Sequence, residues 1–171
     1  TQWQAERAIR DSEERMRQLA EATTEGIVFH HNGVTADVNE ALQHLLGRTF
    51  VEMVGRNILD YVAERWKSTV KEYMQSGRED PYEAAVLDSQ GQELAVEIVG
   101  KTMPFKGGTY RLAVLRDIRA RKTAQARIEF MALHDTLTQL PNRLYLMERL
   151  ESILALARRQ ETAVATLFID L

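Results

Sequence analysis

The sequence predicts an α+β domain built on one five-stranded antiparallel sheet with short flanking helices. A helix is predicted before this domain, and a further helix and an α/β fragment are predicted after it. Two β-rich runs flank Asn32-Gly33, short helical segments follow, and three more strand-like runs come next. Residues 93–98 alternate in polarity, as in an antiparallel strand with one exposed face.

The segment 1–22 is predicted to form the N-terminal helix. Ile9, Met16 and Leu19 recur at heptad-like spacing. Acid-before-base pairs four residues apart, such as Glu6–Arg10, support the helix. The pattern fits both a solvated helix packed on its own domain and one strand of a two-stranded coiled coil.

The first two strands are predicted to form a hairpin, because Asn32-Gly33 supplies the positive φ angles that a tight turn requires. Either Asp37 or Asn39 is expected to cap a helix that begins near Glu40. Together these signals predict a compact strand–turn–strand–helix unit at the start of the domain.

The middle of the chain is predicted to be helical. Two short helical pieces end at Gly47 and Gly55, which suit the left-handed position after a helix. A longer helix is expected over 63–75, with Gly77 just past its end.

Three strands are predicted after Pro81, in the runs YEAAVLD, ELAVEIVGKTMPF and TYRLAVLRDI. The connections DSQGQ and KGG between them are typical of hairpin loops.

The remainder of the chain is predicted to contain a helix over 119–133 and a second helix whose first residue is Pro141. The closing run AVATLFIDL has the continuous apolar character of a strand buried on both faces. An isolated strand of this kind has no sheet to join, so we expect this segment to lack the order of the domain core.

Composition narrows the classes of function. Of 171 residues, 44% are hydrophobic and 27% are charged, and the net charge is −3. This charge gives no basic field that would attract nucleic acid. No apolar run approaches the roughly 20 residues that span a bilayer, and the N-terminus has no signal-peptide pattern. Cysteine is absent, which excludes thiol chemistry within the chain. These features predict a cytoplasmic protein.

Residues 17–122 resemble a PAS domain, and we assign 23–120 to it. The resemblance rests on LAEATTEGIVFHHNGVTADVNEALQHLLGRTFVEMVGRNILDYV, on the helix end at Gly77 and on RLAVLRDIRARK. PAS domains end in an Asp-Ile-Thr-type element, which here is Asp117-Ile118-Arg119. The resemblance implies a PAS fold followed by a signalling helix, which we place at 121–134.

The run HDTLTQLPNR, residues 134–143, resembles the start of a GGDEF domain, the catalytic domain of diguanylate cyclases. The residues that carry this likeness are Asp135, Leu137, Thr138, Leu140, Pro141, Asn142 and Arg143. In the resembled family this turn is structural, and Asp135 and Arg143 could pair across it. We assign 135–171 to an N-terminal fragment of such a domain.

LFIDL resembles the first strand of the GGDEF fold, which implies that Asp170 corresponds to an aspartate that holds Mg²⁺ on GTP in a complete domain. Phosphate-bound Mg²⁺ prefers carboxylate oxygens. The guanine-binding signature is absent from these 171 residues, so we expect no catalytic residues and no cyclase activity in this chain.

A PAS domain can hold a ligand between its sheet and its helices, and eight residues are candidates for lining that space. Most belong to apolar strand runs, and a filled hydrophobic core is the preferred interpretation of such runs. The candidates are Ile27, Phe29, Asn39, Trp66, Val96, Ile98, Leu112 and Val114.

No cofactor is the preferred expectation, with two named alternatives. Asn39, Asn57 and Trp66 could stack on or hydrogen-bond the ring system of a non-covalent flavin. Heme would need an axial histidine on the 63–75 helix, which contains none. Arg111 and Arg116 could pair with a carboxylate ligand, but they fall on opposite strand faces, and exposed arginine is the commoner case.

These resemblances imply a sensory module of a diguanylate cyclase that controls cyclic di-GMP synthesis from GTP through a dimeric helical linker. The implied partners are a second copy of the chain and an unidentified small-molecule signal. One alternative is a constitutive PAS dimerisation module without ligand. Another is the sensor of a protein with a degenerate GGDEF domain or a phosphodiesterase output.

Overall fold

The computed structural model describes residues 23–105 and 108–167. The predicted N-terminal helix and its coiled-coil alternative therefore lie outside the described residues. The chain divides into two compact units, 1–119 and 120–171, which are described separately.

The first unit contains the predicted five-stranded sheet, and its antiparallel pairing confirms the predicted fold class. The strand order is β2-β1-β5-β4-β3, so the strand nearest the end of the unit lies at the sheet centre. The strands are β1 (Gly26–His31), β2 (Val34–Val38), β3 (Tyr82–Leu87), β4 (Glu93–Phe105) and β5 (Gly108–Asp117).

The β1–β2 hairpin turns where the sequence predicts it. Asn32 and Gly33 have φ angles of 50° and 84°, which is the left-handed pair that an Asn-Gly turn favours. The register then slips between Phe29 and His30, where β1 and β2 form an irregular pairing.

The helices between β2 and β3 cover one face of the sheet. They are α1 (Glu40–Leu46), α2 (Phe50–Met53), two 3-10 turns (Ile58–Tyr61 and Glu64–Trp66) and α3 (Lys67–Ser76). The predicted single helix over 63–75 is therefore corrected, because its first turn has 3-10 geometry and α3 begins only after Trp66.

The hydrophobic core lies between these helices and the inner face of the sheet. Leu42 in α1 packs directly on β1, where the absence of a side chain at Gly26 allows this close approach: a Cβ at Gly26 would lie 2.8 Å from Leu42 Cδ1. The most buried large side chains are Leu42, Met53, Val96 and Ile118.

The end of the sheet is fastened to the next segment at Asp117-Ile118-Arg119. The Ile118 side chain is buried, and its backbone N–H donates to the carbonyl of Ala95 at 3.1 Å. The Asp117 carboxylate accepts from the Arg119 backbone N–H at 2.9 Å and from its guanidinium. The guanidinium and backbone bonds of Arg119 lower the pKa of Asp117. Arg119 therefore supplies an ionic latch at the position that threonine occupies in the resembled element.

Two helices follow, α4 (Arg119–Leu133) and α5 (Arg143–Gln160). The predicted helix start at Pro141 is wrong by two residues, because Asn142 is the N-cap and Pro141 pairs with His134 in an isolated bridge. Residues 162–167 carry no strand, and the rest of the predicted closing strand lies outside the described residues.

Candidate functional site

A cavity of about 60 Å³ lies between the inner face of the sheet and the helices of the first unit. Its walls are mostly apolar, with Leu42, Met53 and Val70 on the helix side and Val28, Ile98 and Leu115 on the sheet side. The residues that line it come from all five strands and from α1, α2 and α3, so no single segment of the sequence builds it.

The structure places four of the predicted cavity residues on the other face of the sheet. Val28 and His30 of β1 and Ala113 and Leu115 of β5 line the cavity. Their neighbours point the opposite way, which corrects the assignment of Ile27, Phe29, Leu112 and Val114. Side chains alternate with a period of two, so a one-residue error in phase moves the whole set to the other face.

The other four predicted residues have different positions. Ile98 lines the cavity, while Val96 is completely buried in the core beside it. Trp66 packs against the edge of the core and is not part of the cavity wall. Asn39 also lies outside the wall.

Asn39 has a structural role in the described contacts. Its Oδ1 accepts from the backbone N–H of Leu42 at 3.0 Å, which caps α1, and from that of Ile27 at 2.8 Å. Its Nδ2 donates to the carbonyl of Glu25 at 2.9 Å. These bonds join α1 to β1, and of the two expected caps, Asp37 and Asn39, it is Asn39 that caps the helix.

A row of polar residues crosses the inner face of the sheet at the cavity. His30 of β1 is directly opposite Thr35 of β2 on one side and Arg111 of β5 on the other, and Arg111 is opposite Thr102 of β4. Residues in such register have side chains close enough to interact. Thr35, His30 and Arg111 are 2%, 3% and 7% exposed, so three polar side chains are buried side by side.

Arg111 carries the charge of this row. Its Nη1 donates to the hydroxyl of Thr102 at 3.2 Å, and its Nη2 donates to the carbonyl of Arg78. The guanidinium fills the space over Gly100, where a Cβ would lie 2.5 Å from Nη2. Glycine at position 100 therefore makes room for the buried cation.

His30 is held in its neutral form. Its Nδ1 accepts from the backbone N–H of Gly33 at 3.3 Å. Burial first, and then the positive charge of Arg111 and the neighbouring His31, lower the pKa of His30 to about 4. A neutral ring with Nδ1 as acceptor carries its proton on Nε2, so His30 presents a donor.

Two hydroxyl groups complete the polar part of the wall. Thr35 Oγ1 is buried and has no hydrogen-bond partner among the described residues. Tyr82 contacts Tyr73 with tilted rings whose centroids are 3.9 Å apart, and burial is the largest cause that raises the pKa of Tyr82 to about 12. Both hydroxyls therefore stay protonated and can donate.

The 134–143 turn of the second unit is organised by Asp135. Its Oδ1 accepts from the backbone N–H and the hydroxyl of Thr138, both at 2.8 Å, and from the N–H of Leu137 at 3.2 Å. The bonds from Thr138 lower the pKa of Asp135. The described contacts contain no ion pair between Asp135 and Arg143, which corrects the expected pairing. The Asp135 carboxylate accepts hydrogen bonds from Thr138 instead.

Asn142 fastens the two ends of this turn. Its Oδ1 accepts from the N–H of Tyr145 at 3.1 Å and caps α5, while its Nδ2 donates to the carbonyl of Ala132 in α4 at 2.8 Å. Leu137 and Leu140 are exposed, at 90% and 64%. The turn is thus held by polar bonds and by the ring contacts of His134 with Phe130 and Tyr145.

Replacing Asn142 by Ala is expected to destabilise the turn by about 2 kcal/mol, roughly 1 for the lost cap and about 1 for the lost bond to Ala132. Hydrogen exchange followed by mass spectrometry should show faster exchange in peptides from 132–160. Asn142→Asp keeps the capping oxygen and loses only the donor, so it should lie between wild type and Asn142→Ala. Equal exchange in Asn142→Ala and wild type would contradict this role.

Asp170, the predicted Mg²⁺ ligand, lies outside the described residues. Within 23–105 and 108–167, no cluster of His, Asp or Glu has the size needed to hold a metal ion. None of the described helices is both long and apolar enough to cross a membrane.

Comparison with known proteins gives two family matches. Residues 24–120 match the PAS domain family, and residues 132–171 match the family described as diguanylate cyclase, GGDEF domain.

Two curated proteins and one solved structure illustrate the similarity. An uncharacterized signaling protein of Caulobacter vibrioides is 32% identical over 95% of this chain, which spans 20% of that protein. MucR of Pseudomonas aeruginosa, a bifunctional diguanylate cyclase and cyclic di-GMP phosphodiesterase, is 43% identical over 36% of this chain, or 9% of its own length. The chain therefore spans a fifth or less of these relatives. The PAS domain of an HTR-like protein from Haloarcula marismortui superposes with a TM-score of 0.58 at 21% identity, covering 67% of this chain and 98% of that domain.

Proposed function

The chain belongs to the PAS domain family and continues into a GGDEF segment, and from this we propose that it is the sensory module that controls a diguanylate cyclase. In this proposal a signal received by the PAS domain alters the production of cyclic di-GMP from GTP. The module works in the cytoplasm, where GTP is the substrate of the complete cyclase domain. Mg²⁺ and Asp170 take part only in that complete domain.

The observation that carries the proposal is the course of α4. This helix begins directly after the Asp117–Arg119 latch at the end of β5 and ends at the 134–143 turn, where the GGDEF segment starts. A conformational change at the end of β5 could therefore reach the start of the output domain through a single helix. Regulation by such a route requires two states of the helix whose relative stability the signal alters.

The surface of α4 supports a dimeric linker. None of its described side chains is buried, and Ile128 and Met131 are 63% and 46% exposed. Ala124, Ile128 and Met131 follow one another at spacings of four and three, which places them on one stripe of a heptad pattern. The same stripe on a second copy of the chain would cover these apolar groups. Two cyclase domains brought together in this way could each supply one GTP.

Changing the phase of α4 tests the coupling. In a protein where a complete GGDEF domain follows this chain, one residue inserted after Gln125 rotates everything downstream by about 100°. We expect cyclic di-GMP production to change at least tenfold in either direction, because the two output domains would meet in a different orientation. An insertion of seven residues after Gln125 preserves the heptad phase and is the control. If the two insertions give the same activity, the helix does not transmit the signal.

The dimer itself has a separate test. Light scattering of the purified chain should give the mass of a dimer, and Ile128→Glu should shift it toward monomer because a charge would enter the apolar stripe. A monomer at high concentration in the wild-type chain would refute the dimeric linker.

A bifunctional output is a second candidate, and the similarity to MucR favours it. In that case the same PAS module would alter both the synthesis and the hydrolysis of cyclic di-GMP. Measuring both activities in a protein with the complete output region separates this candidate from a simple cyclase.

A ligand-free dimerisation module is the remaining alternative. The cavity of about 60 Å³ favours a small ligand or none over flavin or heme, because sites for drug-sized ligands have about 300–1,000 Å³. An absorbance spectrum together with native mass spectrometry distinguishes these cases, since a flavin or heme would absorb beyond the aromatic band.

A further inference from the structure

We infer that the cavity under the sheet binds a small oxyanion, typically a short-chain carboxylate, with Arg111 as its counter-charge. The inference rests on the proposed function in one respect: it names the chemical class of the signal that the PAS domain receives.

The Arg111 guanidinium places a positive charge at the cavity wall. This guanidinium is 7% exposed, and among the described residues it makes no ion pair with a carboxylate. Its two hydrogen bonds go to a neutral hydroxyl and a neutral carbonyl. A buried cation without a counter-charge is costly, whereas an anion that accepts two parallel bonds from the guanidinium fork offsets that cost.

The polar side chains of the cavity wall supply hydrogen-bond donors. The buried Thr35 hydroxyl has no hydrogen-bond partner among the described residues, and His30 Nε2 and the Tyr82 hydroxyl are further donor groups of residues that line the cavity. The described wall contains no Asp or Glu side chain. A cavity with one cation, several donors and no carboxylate matches a ligand that only accepts hydrogen bonds and carries negative charge.

The fold itself fixes the position of the Arg111 guanidinium. Arg111 reaches its position because residue 100 is glycine, and it is held there by Thr102 on the adjacent strand and by the carbonyl of Arg78. His30 and Thr35 lie in the same row of the sheet. The donors therefore stand on paired strands, which hold them in fixed register without a ligand.

Cavity volume limits the size of the anion. One water molecule requires about 10–15 Å³ of such space, so about 60 Å³ accommodates a ligand of only a few heavy atoms. Formate, acetate and nitrate meet this limit. Citrate and benzoate do not, because the apolar walls of Leu42, Met53 and Val70 close the cavity on the helix side.

The test is a binding measurement on the purified 171-residue chain. Sodium acetate is titrated at constant ionic strength, with thermal midpoints and amide NMR shifts as readouts. We expect a saturable rise in the midpoint and shifts in the amides of residues 30, 35 and 111. Acetamide, which has the same shape without the charge, should bind at least tenfold more weakly, and benzoate and citrate should not bind. Acetamide binding as tightly as acetate would overturn the inference, as would no saturable acetate binding to the folded chain.

Two variants and a matched control locate the site. Thr35→Val removes the unpartnered hydroxyl without changing shape, so it should raise the midpoint of the free protein and weaken acetate binding about tenfold. Arg111→Gln should reduce acetate binding at least a hundredfold. Arg116→Gln removes the same charge from the exposed, opposite face of β5 and should bind acetate as wild type does. Unchanged affinity in Thr35→Val would exclude this cavity as the site, even if Arg111→Gln failed to fold.

The experiments on acetate binding and on the α4 insertions can fail independently of each other. Acetate binding is measured without any output domain, and the α4 insertions are measured without any added anion. Loss of the insertion effect with intact acetate binding would refute the coupling alone, and the reverse result would refute the ligand alone.

Discussion

Replacing Leu42 by Ala is expected to lower the free energy of unfolding by about 3 kcal/mol. Leu42 is 2% exposed, packs on β1 at Gly26 and forms part of the cavity wall. Truncating it removes buried methyl groups and enlarges the cavity at the same time. The close approach of α1 to β1, which Asn39 fixes by hydrogen bonds, limits how far the helix can move to fill the space.

Urea unfolding of the wild type and the variant measures this change. Val51→Ala is the control, because Val51 is 86% exposed on neighbouring α2 and should change stability by less than about 0.5 kcal/mol. A Leu42→Ala loss as small as that of Val51→Ala would show that α1 does not pack on the sheet as described. The enlarged cavity of Leu42→Ala should also admit carboxylates longer than acetate.

Acidification is expected to destabilise the PAS domain through His30. In the folded protein the pKa of His30 is lowered to about 4, mainly by burial and then by Arg111 and His31, while the unfolded chain has the ordinary value of 6.5. The contribution of His30 to the free energy of unfolding therefore reaches its full value above pH 6.5. It falls by about 1.4 kcal/mol per pH unit as the pH drops from 6.5 toward 4, because only the unfolded chain takes up the proton.

The measurement compares variants between pH 7 and pH 4.5. His30→Gln should remove most of the slope, because no imidazole remains to bind the proton. His44→Gln makes the same substitution at an exposed histidine, which contacts Glu40 at 3.3 Å, and is the matched control variant. The carboxyl of Asp80, whose pKa the hydrogen bond from Arg78 lowers to about 2, titrates below this range. Parallel slopes in wild type and His30→Gln would show that His30 is accessible to protons in the folded state.

Several local features could be predicted from the sequence because their causes are local. Asn32-Gly33 turns the first hairpin, since the backbone angles of that turn are intrinsic to these residues. A cap at Asp37 or Asn39 could be predicted in the same way, and Asn39 takes this role because its side chain bonds the backbone three residues ahead. The order of strands and helices was enough to predict the antiparallel sheet, and the family matches confirm the PAS and GGDEF resemblances.

The cavity could not be predicted in the same way. β1 and β5 carry apolar residues on both faces, as in Ile27-Val28-Phe29, so alternation gave no signal for the inner face. Only β4 shows in its sequence which residues face inward, because its apolar residues Leu94, Val96 and Ile98 alternate with others. To identify the inward-facing residues of β5 from those of β4, one must know that Ile98 pairs with Leu115, and the sequence does not reveal this pairing.

The sequence by itself determined the fold class, the Asn32-Gly33 turn and the two families, because these rest on the order of segments and on residues close together in the chain. It left open whether Asp37 or Asn39 caps α1, and it placed the start of α5 two residues too early. Only the tertiary structure decided that Thr35, His30 and Arg111 form one buried row and that Gly100 leaves space for a guanidinium. These residues are far apart in sequence and meet only through the register of paired strands. That register is set by the packing of the whole sheet against its helices. The same packing buries the Arg111 guanidinium, and burial is the main cause of the lowered pKa of His30.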